Sequence, residues 1–344
     1  MELLLSNYSP ANFFGKSSKT YMEKALKQCV TLKIASGYIS SDALIDLKRV
    51  IELNNKPRLE LLIGMHYFDG FTKNQYIAAC SLNDFLIDND LGFVYLANTV
   101  KFHGKMYSFI MDDSSTSALI GSSNLGSLYD NVNKQYEVDI LLEGEESTYV
   151  NKTLNTIITS LGTPLKDVTI KTFIEFNKLL ENHENVRKID PVELSEILSK
   201  RTAINFDIPI KAAPKSNLNP YFGKGRKDLR GYVAPRPWYE VEIIVSNTIT
   251  SRAGYPCDQT FEVYTDDGWH FTCETNGDYS KNLRSKDDLK ILGKWLKGRM
   301  EEAGALKMGS PVTDDVIAAY GRNTIKLCAT TVAGVWFIDF SSRI

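Results

Sequence analysis

From residue 20 to about 145, stretches of helical period alternate with apolar runs of strand length, which restricts this part of the chain to a layered α/β fold. The pattern predicts helices over Thr20–Gln28, Asp42–Leu53 and Asn74–Asp88, and strands over Leu32–Ile39, Arg58–Met65, Gly92–Leu96, Lys105–Met111, Thr116–Gly121 and Tyr136–Leu142. Within Asp42–Leu53 the apolar positions Leu44, Ile45, Leu47, Val50 and Ile51 mark one helical face. The last four strands follow one another with no helix between them, so the sheet is expected to be mixed.

The texture then changes. Residues 147–160 and 165–201 read as helical, and Ala203–Pro220, with Pro209, Pro214 and Pro220 and little periodicity, reads as a linker. Beyond it, Tyr239–Val245, Thr260–Tyr264, Trp269–Glu274, Thr324–Thr330 and Val335–Phe340 are rich in β-branched and aromatic residues, with a hairpin turn at Asp267-Gly268. Two helices interrupt these strands, one capped by Ser285 and ending at Gly304, the other opening at Ser310-Pro311 and closing at Gly321. The expected division is a domain over 1–180, a helical connector and linker over 181–220, and a β-rich domain over 221–344.

A length of 344 residues suits two domains, and 43% hydrophobic with 24% charged residues excludes disordered and collagen-like classes. No apolar run approaches the ~18 residues of a membrane span, and Glu2 stands where a signal peptide would carry basic charge. The expected location is cytoplasmic. Cys29, Cys80, Cys257, Cys273 and Cys328 are odd in number and lack C-x-x-C spacing, so neither a disulfide framework nor a zinc site is expected. The net charge of -2 conceals a basic stretch, since Lys224, Arg226, Lys227, Arg230 and Arg236 face only Asp228. Local charge of this kind suits phosphate binding.

The chemistry is concentrated in Lys101-Phe102-His103-Gly104-Lys105 and Gly121-Ser122-Ser123-Asn124. Two residues apart on a strand, His103 and Lys105 would project from one face. A neutral imidazole is a competent nucleophile near pH 7, and a lysine cation can hold non-bridging phosphoryl oxygens. Ser122 and Asn124 would add uncharged donors, and Glu137 a carboxylate able to orient the imidazole. His66 follows a buried strand and is read as a loop histidine able to line the same cleft, while His183 and His270 have no metal-binding partner at suitable spacing and are read as structural.

His103-x-Lys105 followed by Gly121-Ser122-x-Asn124 resembles the H-x-K…G-S-x-N signature of the phospholipase D superfamily. That resemblance implies an α/β mixed-sheet sandwich, a phosphohistidine intermediate on His103, phosphate binding by Lys105 and Asn124, and no metal or other cofactor. Asp112 lies further from the lysine than the family's usual aspartate, so Glu137 is taken as the acidic member, by similarity to the restriction-enzyme branch. A single copy of the signature implies a homodimer with a composite site.

The stretches Arg236–Ile243, Thr265–Gly268, Asn276–Ser285 and Leu292–Arg299 resemble the C-terminal region of NgoFVII-type restriction endonucleases. This resemblance implies an α+β pseudobarrel like the DNA-binding domain of plant B-three transcription factors, and double-stranded DNA as substrate. It further implies an ATP-dependent translocase as a possible separate subunit and a cognate DNA methyltransferase. The DNA-contacting candidates are Lys224, Arg226, Arg230, Arg236, Arg252, Asn276, Asp278, Lys281, Asn282 and Arg284. Two other readings share these residues: a phospholipase D-type lipid phosphodiesterase, and a non-catalytic dimeric DNA-binding regulator.

Overall fold

The computed structural model describes residues 1–6, 15–54, 56–129, 135–174, 180, 183–214, 217–220, 226–227, 229 and 231–342. The chain divides into two compact units, Met1–Asn177 with Lys227–Ala234, and Lys178–Arg226 with Pro235–Ile344. Among the described residues no helix is long and apolar enough to cross a membrane.

The first unit is built on strands β1 (Glu2–Leu5), β2 (Cys29–Ser36), β3 (Arg58–Ile63), β4 (Gly92–Ala97), β5 (Lys105–Met111), β6 (Thr116–Gly121), β7 (Val138–Glu143) and β8 (Gly162–Pro164). They form one sheet in the order β1-β7-β6-β5-β2-β3-β4-β8. β2, β3 and β4 are parallel, joined through helices α2 (Ser41–Leu53) and α4 (Lys73–Asp88), while β5, β6, β7 and β1 continue the sheet antiparallel. The sheet is mixed, as the pattern predicts. Three short or flanking helices, α1 (Ser18–Ala25), α3 (His66–Asp69) and α5 (Leu125–Tyr129), accompany α2 and α4.

Helix α6 (Glu145–Leu161) covers one sheet face, setting Val150, Leu154 and Ile158 on Ala35, Leu62, Ala97 and Ala118. Each such side chain taken from water contributes about 1.5–3 kcal/mol. The alternate residues Ile34, Leu61, Ile63 and Leu96 are also fully buried, so the opposite face is covered too. Such two-sided burial explains the almost continuous apolar runs of β2 and β3. Helix α4 starts cleanly because Thr72 and Gln75 form a reciprocal capping box.

In the second unit the expected connector is instead part of the sheet. Residues 181–220 supply β9 (Arg187–Lys188), α7 (Pro191–Ser199) and β10 (Arg201–Pro209), and β10 pairs with β17 (Thr324–Thr330). The predicted linker failed because β10 has an irregular register between Arg201 and Asn205, which breaks the period-2 signal. Only Phe206 and Ile208 show the alternation clearly. The short ladder of β11 (Arg226–Lys227) with β12 (Val233–Ala234) brings residues 227–234 back into the first unit, where Asn54 clasps Val233 through both main-chain groups at 2.7 and 2.9 Å.

The remaining elements are β13 (Ile243–Ile244), α8 (Asn247–Thr250), β14 (Thr260–Thr265), β15 (Trp269–Asn276), β16 (Asn282–Ser285), α9 (Lys290–Glu302), α10 (Asp314–Tyr320) and β18 (Val335–Asp339). The sheet runs β10-β17-β18-β14-β15-β16-β13, with β9 also on β15. Phe261, Val263, Phe271 and Cys273 point into the core while Glu262, Tyr264, His270 and Thr272 alternate outward. Ser285 lies on β16 rather than at a helix cap; its hydroxyl donates to the Asp288 carbonyl and accepts from Leu292 N–H, closing the turn that leads into α9. Thr313, not Ser310, caps α10, and Gly321 ends it at φ 79° in the left-handed region.

Candidate active site

Strand register gathers the predicted catalytic residues at one end of the first sheet. Ser36 pairs with Lys105, Met106 with Ile120, and Gly121 with Asp139, so one row of residues crosses four strands. Beyond this row the chain leaves the sheet in four places, and those exits carry the chemistry: 37–39, 102–104, 122–124 and Glu137. Main-chain bonds stitch the exits together. Gly37 N–H donates to Gly104 O at 3.0 Å, Met65 N–H to Gly37 O at 2.9 Å, and Phe102 N–H to Gly64 O at 3.1 Å. A Cβ on Gly64 would lie 1.9 Å from Phe102 O, so this approach needs glycine.

His103 stands in the loop just before β5, not within the ladder, and is exposed. Lys105 is only 8% exposed, yet its Nζ reaches 3.2 Å from His103 Nε2 and donates to His103 O at 2.7 Å. Burial holds the Lys105 ammonium below the ordinary lysine range, while the Glu137 carboxylate pulls it back up.

Asn124 is oriented by the backbone. Its Oδ1 accepts Tyr38 N–H at 3.1 Å and lies 3.5 Å from Ser36 Oγ. A main-chain N–H can only donate, so the amide oxygen is identified and both amide N–H groups remain for a ligand. Ser122 donates through Oγ to Glu137 Oε2, and its Oγ accepts Val138 N–H at 2.9 Å. Glu137 Oε1 takes a second hydroxyl, from Ser127, at 2.9 Å. The carboxylate expected to orient His103 is therefore held by two serines, and its influence on the imidazole-ammonium pair in this chain runs through charge at Lys105.

Several residues essential to this geometry carry no sequence signal. Asp139, 1% exposed, accepts Ser123 N–H at 3.1 Å and Ser123 Oγ at 2.5 Å, with Ser18 Oγ as a third donor. Tyr107 OH donates to Ser123 O at 2.7 Å, so the 121–124 turn is held from both sides. His66 is 5% exposed; its Nε2 accepts Ile39 N–H at 3.1 Å, and Nδ1 faces Gly70 O at 3.0 Å. Burial lowers its pKa, disfavouring the charged ring. Asp112 sits at the opposite end of β5, in the turn to β6. A concavity of about 820 Å³ lined by Tyr21, Lys24, Ser117, Glu143, Tyr149 and Lys152 is also at that far end and holds none of the predicted site residues.

The predicted DNA-contacting residues are less unified. Lys224 and Arg230 lie outside the described residues, as does the side chain of Arg226. Arg236 is ion-paired with Glu240, four residues on. Arg252 is exposed, with its guanidinium 5.0 Å from the Phe206 ring centre. The expected recognition loop 276–285 is mostly a hairpin, because Asn276 pairs with Asn282 and Glu274 with Arg284. Arg284 is committed to Glu274 at 2.9 Å and Glu242 at 3.6 Å, and Asn276 donates to Glu274 at 2.8 Å. Only Asp278 and Lys281, paired at 3.2 Å, sit at the hairpin tip, beside Tyr279 at φ 58° and 77% exposed. Trp238, Trp295 and Trp336 are buried.

The comparisons with known proteins fall on the same two halves. Residues 17–169 match the family model described as the NgoFVII restriction endonuclease N-terminal PLD domain, and residues 196–331 match the NgoFVII C-terminal B3-like DNA-binding domain. Among solved structures, similarity is found to a phospholipase D family member, Nuc, from Salmonella typhimurium at 14% identity, covering 47% of this chain and 98% of that one with a TM-score of 0.32. A phosphatidylserine synthase from Haemophilus influenzae matches at 16% identity over 48% of this chain and 39% of that one, with a TM-score of 0.34. No curated protein matches. With a nuclease-family model on the first half and its DNA-binding partner on the second, the chain belongs to the NgoFVII-type restriction endonucleases and is a phosphodiester hydrolase of the phospholipase D superfamily.

Proposed function

We propose that this nuclease cuts double-stranded DNA at specific sequences through a covalent phosphohistidine, without a metal ion. In the first step the His103 Nε2 lone pair forms the N–P bond while the bond from phosphorus to the leaving oxygen breaks. The proton for that oxygen comes from the partner subunit's His103 in a homodimeric composite site. Lys105 and the Asn124 amide hold the non-bridging oxygens, which gain charge in the transition state. Water then attacks the phosphohistidine, the N–P bond breaks, and both imidazoles return to their starting protonation states.

The observation that carries this reading is the 3.2 Å approach of Lys105 Nζ to Nε2 of the exposed His103, with the Asn124 amide held through Oδ1 and its N–H groups without a partner among the described residues. A separate ATP-driven translocase and a cognate methyltransferase, as in the family, complete the proposed system; this chain has no G-x-x-x-x-G-K-[ST] loop, so any ATP use belongs to such a partner. The test is incubation with unmodified bacterial DNA in excess chelator, with and without a candidate translocase and ATP. Chelator-resistant cleavage that disappears in His103→Ala, with DNA binding retained, is the expected result. Cleavage restored only by magnesium in the absence of ATP would falsify the mechanism.

A further inference from the structure

On α3 the surface carries two adjacent large aromatics. Tyr67 is 42% and Phe68 41% exposed, with ring centres 5.3 Å apart at 84°. Single exposed apolar residues are ordinary, but a contiguous aromatic pair linked through side chains to a candidate reaction centre marks a contact surface. Lys101, two residues before His103, places its ammonium 6.0 Å from the Phe68 ring centre and 2.8 Å from Asp69. Asp69 in turn accepts Tyr38 OH at 2.5 Å, and the Tyr38 ring meets His103 edge-on at 5.7 Å. Phe68 is thus connected to the nucleophile through one continuous set of side chains.

The pair is also rigidly mounted. It lies on α3, whose last turn is closed by Asp69 N–H to Met65 O and Gly70 N–H to His66 O, both at 3.0 Å. His66, between the two layers, stacks on Phe71 at 4.8 Å and meets Tyr38 edge-on at 5.5 Å. Aromatic rings held this way lose little conformational freedom when a flat partner stacks on them.

We propose that Tyr67 and Phe68 form a base-stacking platform that takes a base of the DNA strand being cut, turned out of the duplex next to the scissile phosphate. This rests on the nuclease reading given above. The occupant follows from continuity with the His103 site, from the cation that Lys101 places at the platform's edge, and from the sequence tolerance of stacking. A site that must cut wherever the other unit has bound needs such tolerance.

The experiment uses the full chain. DNA carrying iododeoxyuridine in place of thymidine is irradiated with the His103→Ala variant, which holds it uncut, and crosslinked peptides are mapped. The expected crosslinks fall on the peptide holding Tyr67 and Phe68 and vanish in the further variant Tyr67→Leu/Phe68→Leu. In otherwise wild-type protein, Tyr67→Leu/Phe68→Leu lowers kcat/KM on unmodified bacterial DNA about tenfold, the scale of one lost stacking contact, with an unchanged melting temperature. Tyr149→Leu, which removes a 72% exposed aromatic at the far end of the sheet, keeps the full rate. Full cleavage by the double variant, with crosslinks confined to the second unit, overturns the platform while leaving the nuclease reading intact. Loss of sedimentation with phosphatidylserine vesicles but not of DNA cleavage also overturns it, by assigning the pair to lipid. A wild-type chain that cuts no DNA removes the nuclease reading and the platform together.

Discussion

Lys105 Nζ and His103 Nε2 are 3.2 Å apart, and the same ammonium is tied to the His103 carbonyl at 2.7 Å. An ammonium has no lone pair, so the contact is satisfied by the tautomer with its proton on Nδ1. That tautomer leaves a lone pair on Nε2. Under the proposed mechanism, a phosphoryl oxygen entering beside the pair takes over the ammonium and releases the lone pair toward phosphorus, so that the lysine would both hold the imidazole and receive substrate charge.

Asn124→Ala is expected to reduce kcat by 10²–10³ with little change in melting temperature, because donors to developing oxyanion charge are worth about that factor. Asn124→Asp replaces the amide N–H groups with an acceptor and is expected to be at least as damaging. Single-turnover cleavage of a defined fragment measures both.

Removing the Lys105 charge should trade activity for stability. Its folded-state pKa is lowered by burial, so between that value and the ordinary 10.5 the unfolded chain binds more protons and stability rises with pH. Below the folded value the buried charge is a standing cost. Lys105→Met therefore raises the melting temperature at pH 7 while abolishing cleavage. For the wild type, cleavage is lost on the alkaline side at a pH below the ordinary lysine range. A melting temperature that fell in Lys105→Met would contradict this account.

His66 gives the acid side. Its pKa lies below 6.5 chiefly through burial, so its contribution is fully present above the unfolded value and declines as pH falls through 6.5 toward the folded value. Thermal melts between pH 7 and pH 5 are expected to show this decline, and a shallower slope in His66→Gln. The same slope in both proteins would assign the acid sensitivity elsewhere.

Asp139→Ala leaves the hydroxyls of Ser18 and Ser123 and the Ser123 N–H without an acceptor, at an expected cost of about 2–4 kcal/mol for lost charge-assisted bonds and buried unpaired donors. Gly121→Ala is worse placed, since its Cβ would stand 2.1 Å from Asp139 Oδ1 and 2.3 Å from Val138 O. Denaturant titration distinguishes both from the Asn124 and Lys105 variants, whose stability is not lowered.

In the second unit, Arg252→Ala should weaken DNA binding and flatten the dependence of log affinity on log salt by about 0.9, the value of one released counterion. Arg284→Ala is different, because Arg284 already neutralises Glu274 and Glu242. Its loss exposes two carboxylates to the DNA without removing a free cation. Fluorescence anisotropy across a salt series reads these slopes.

Local order in the chain was enough to read the alternation of β2, α2, β3 and α4, because both the period-3.6 and the strand-length apolar signals arise from neighbours a few residues apart. His103, Lys105, Ser122 and Asn124 stand out in the sequence for the same kind of reason, since their spacing is itself the signature, and strand register brings them to one end of the sheet. What could not be read was β10, whose irregular register hides its alternation, and the hairpin of β15 and β16, whose polar residues look like a loop until cross-strand partners satisfy them.

The sequence by itself determined which groups could attack and hold a phosphate, since side-chain chemistry and spacing are properties of the chain alone. Only the tertiary structure decided that Asp139 and Tyr107 clamp the Ser123 turn, that Tyr38 N–H turns the Asn124 amide, and that Glu137 is engaged by Ser122 and Ser127. Those contacts join residues from 10 to 86 positions apart, and strand register, not local preference, brings them within reach.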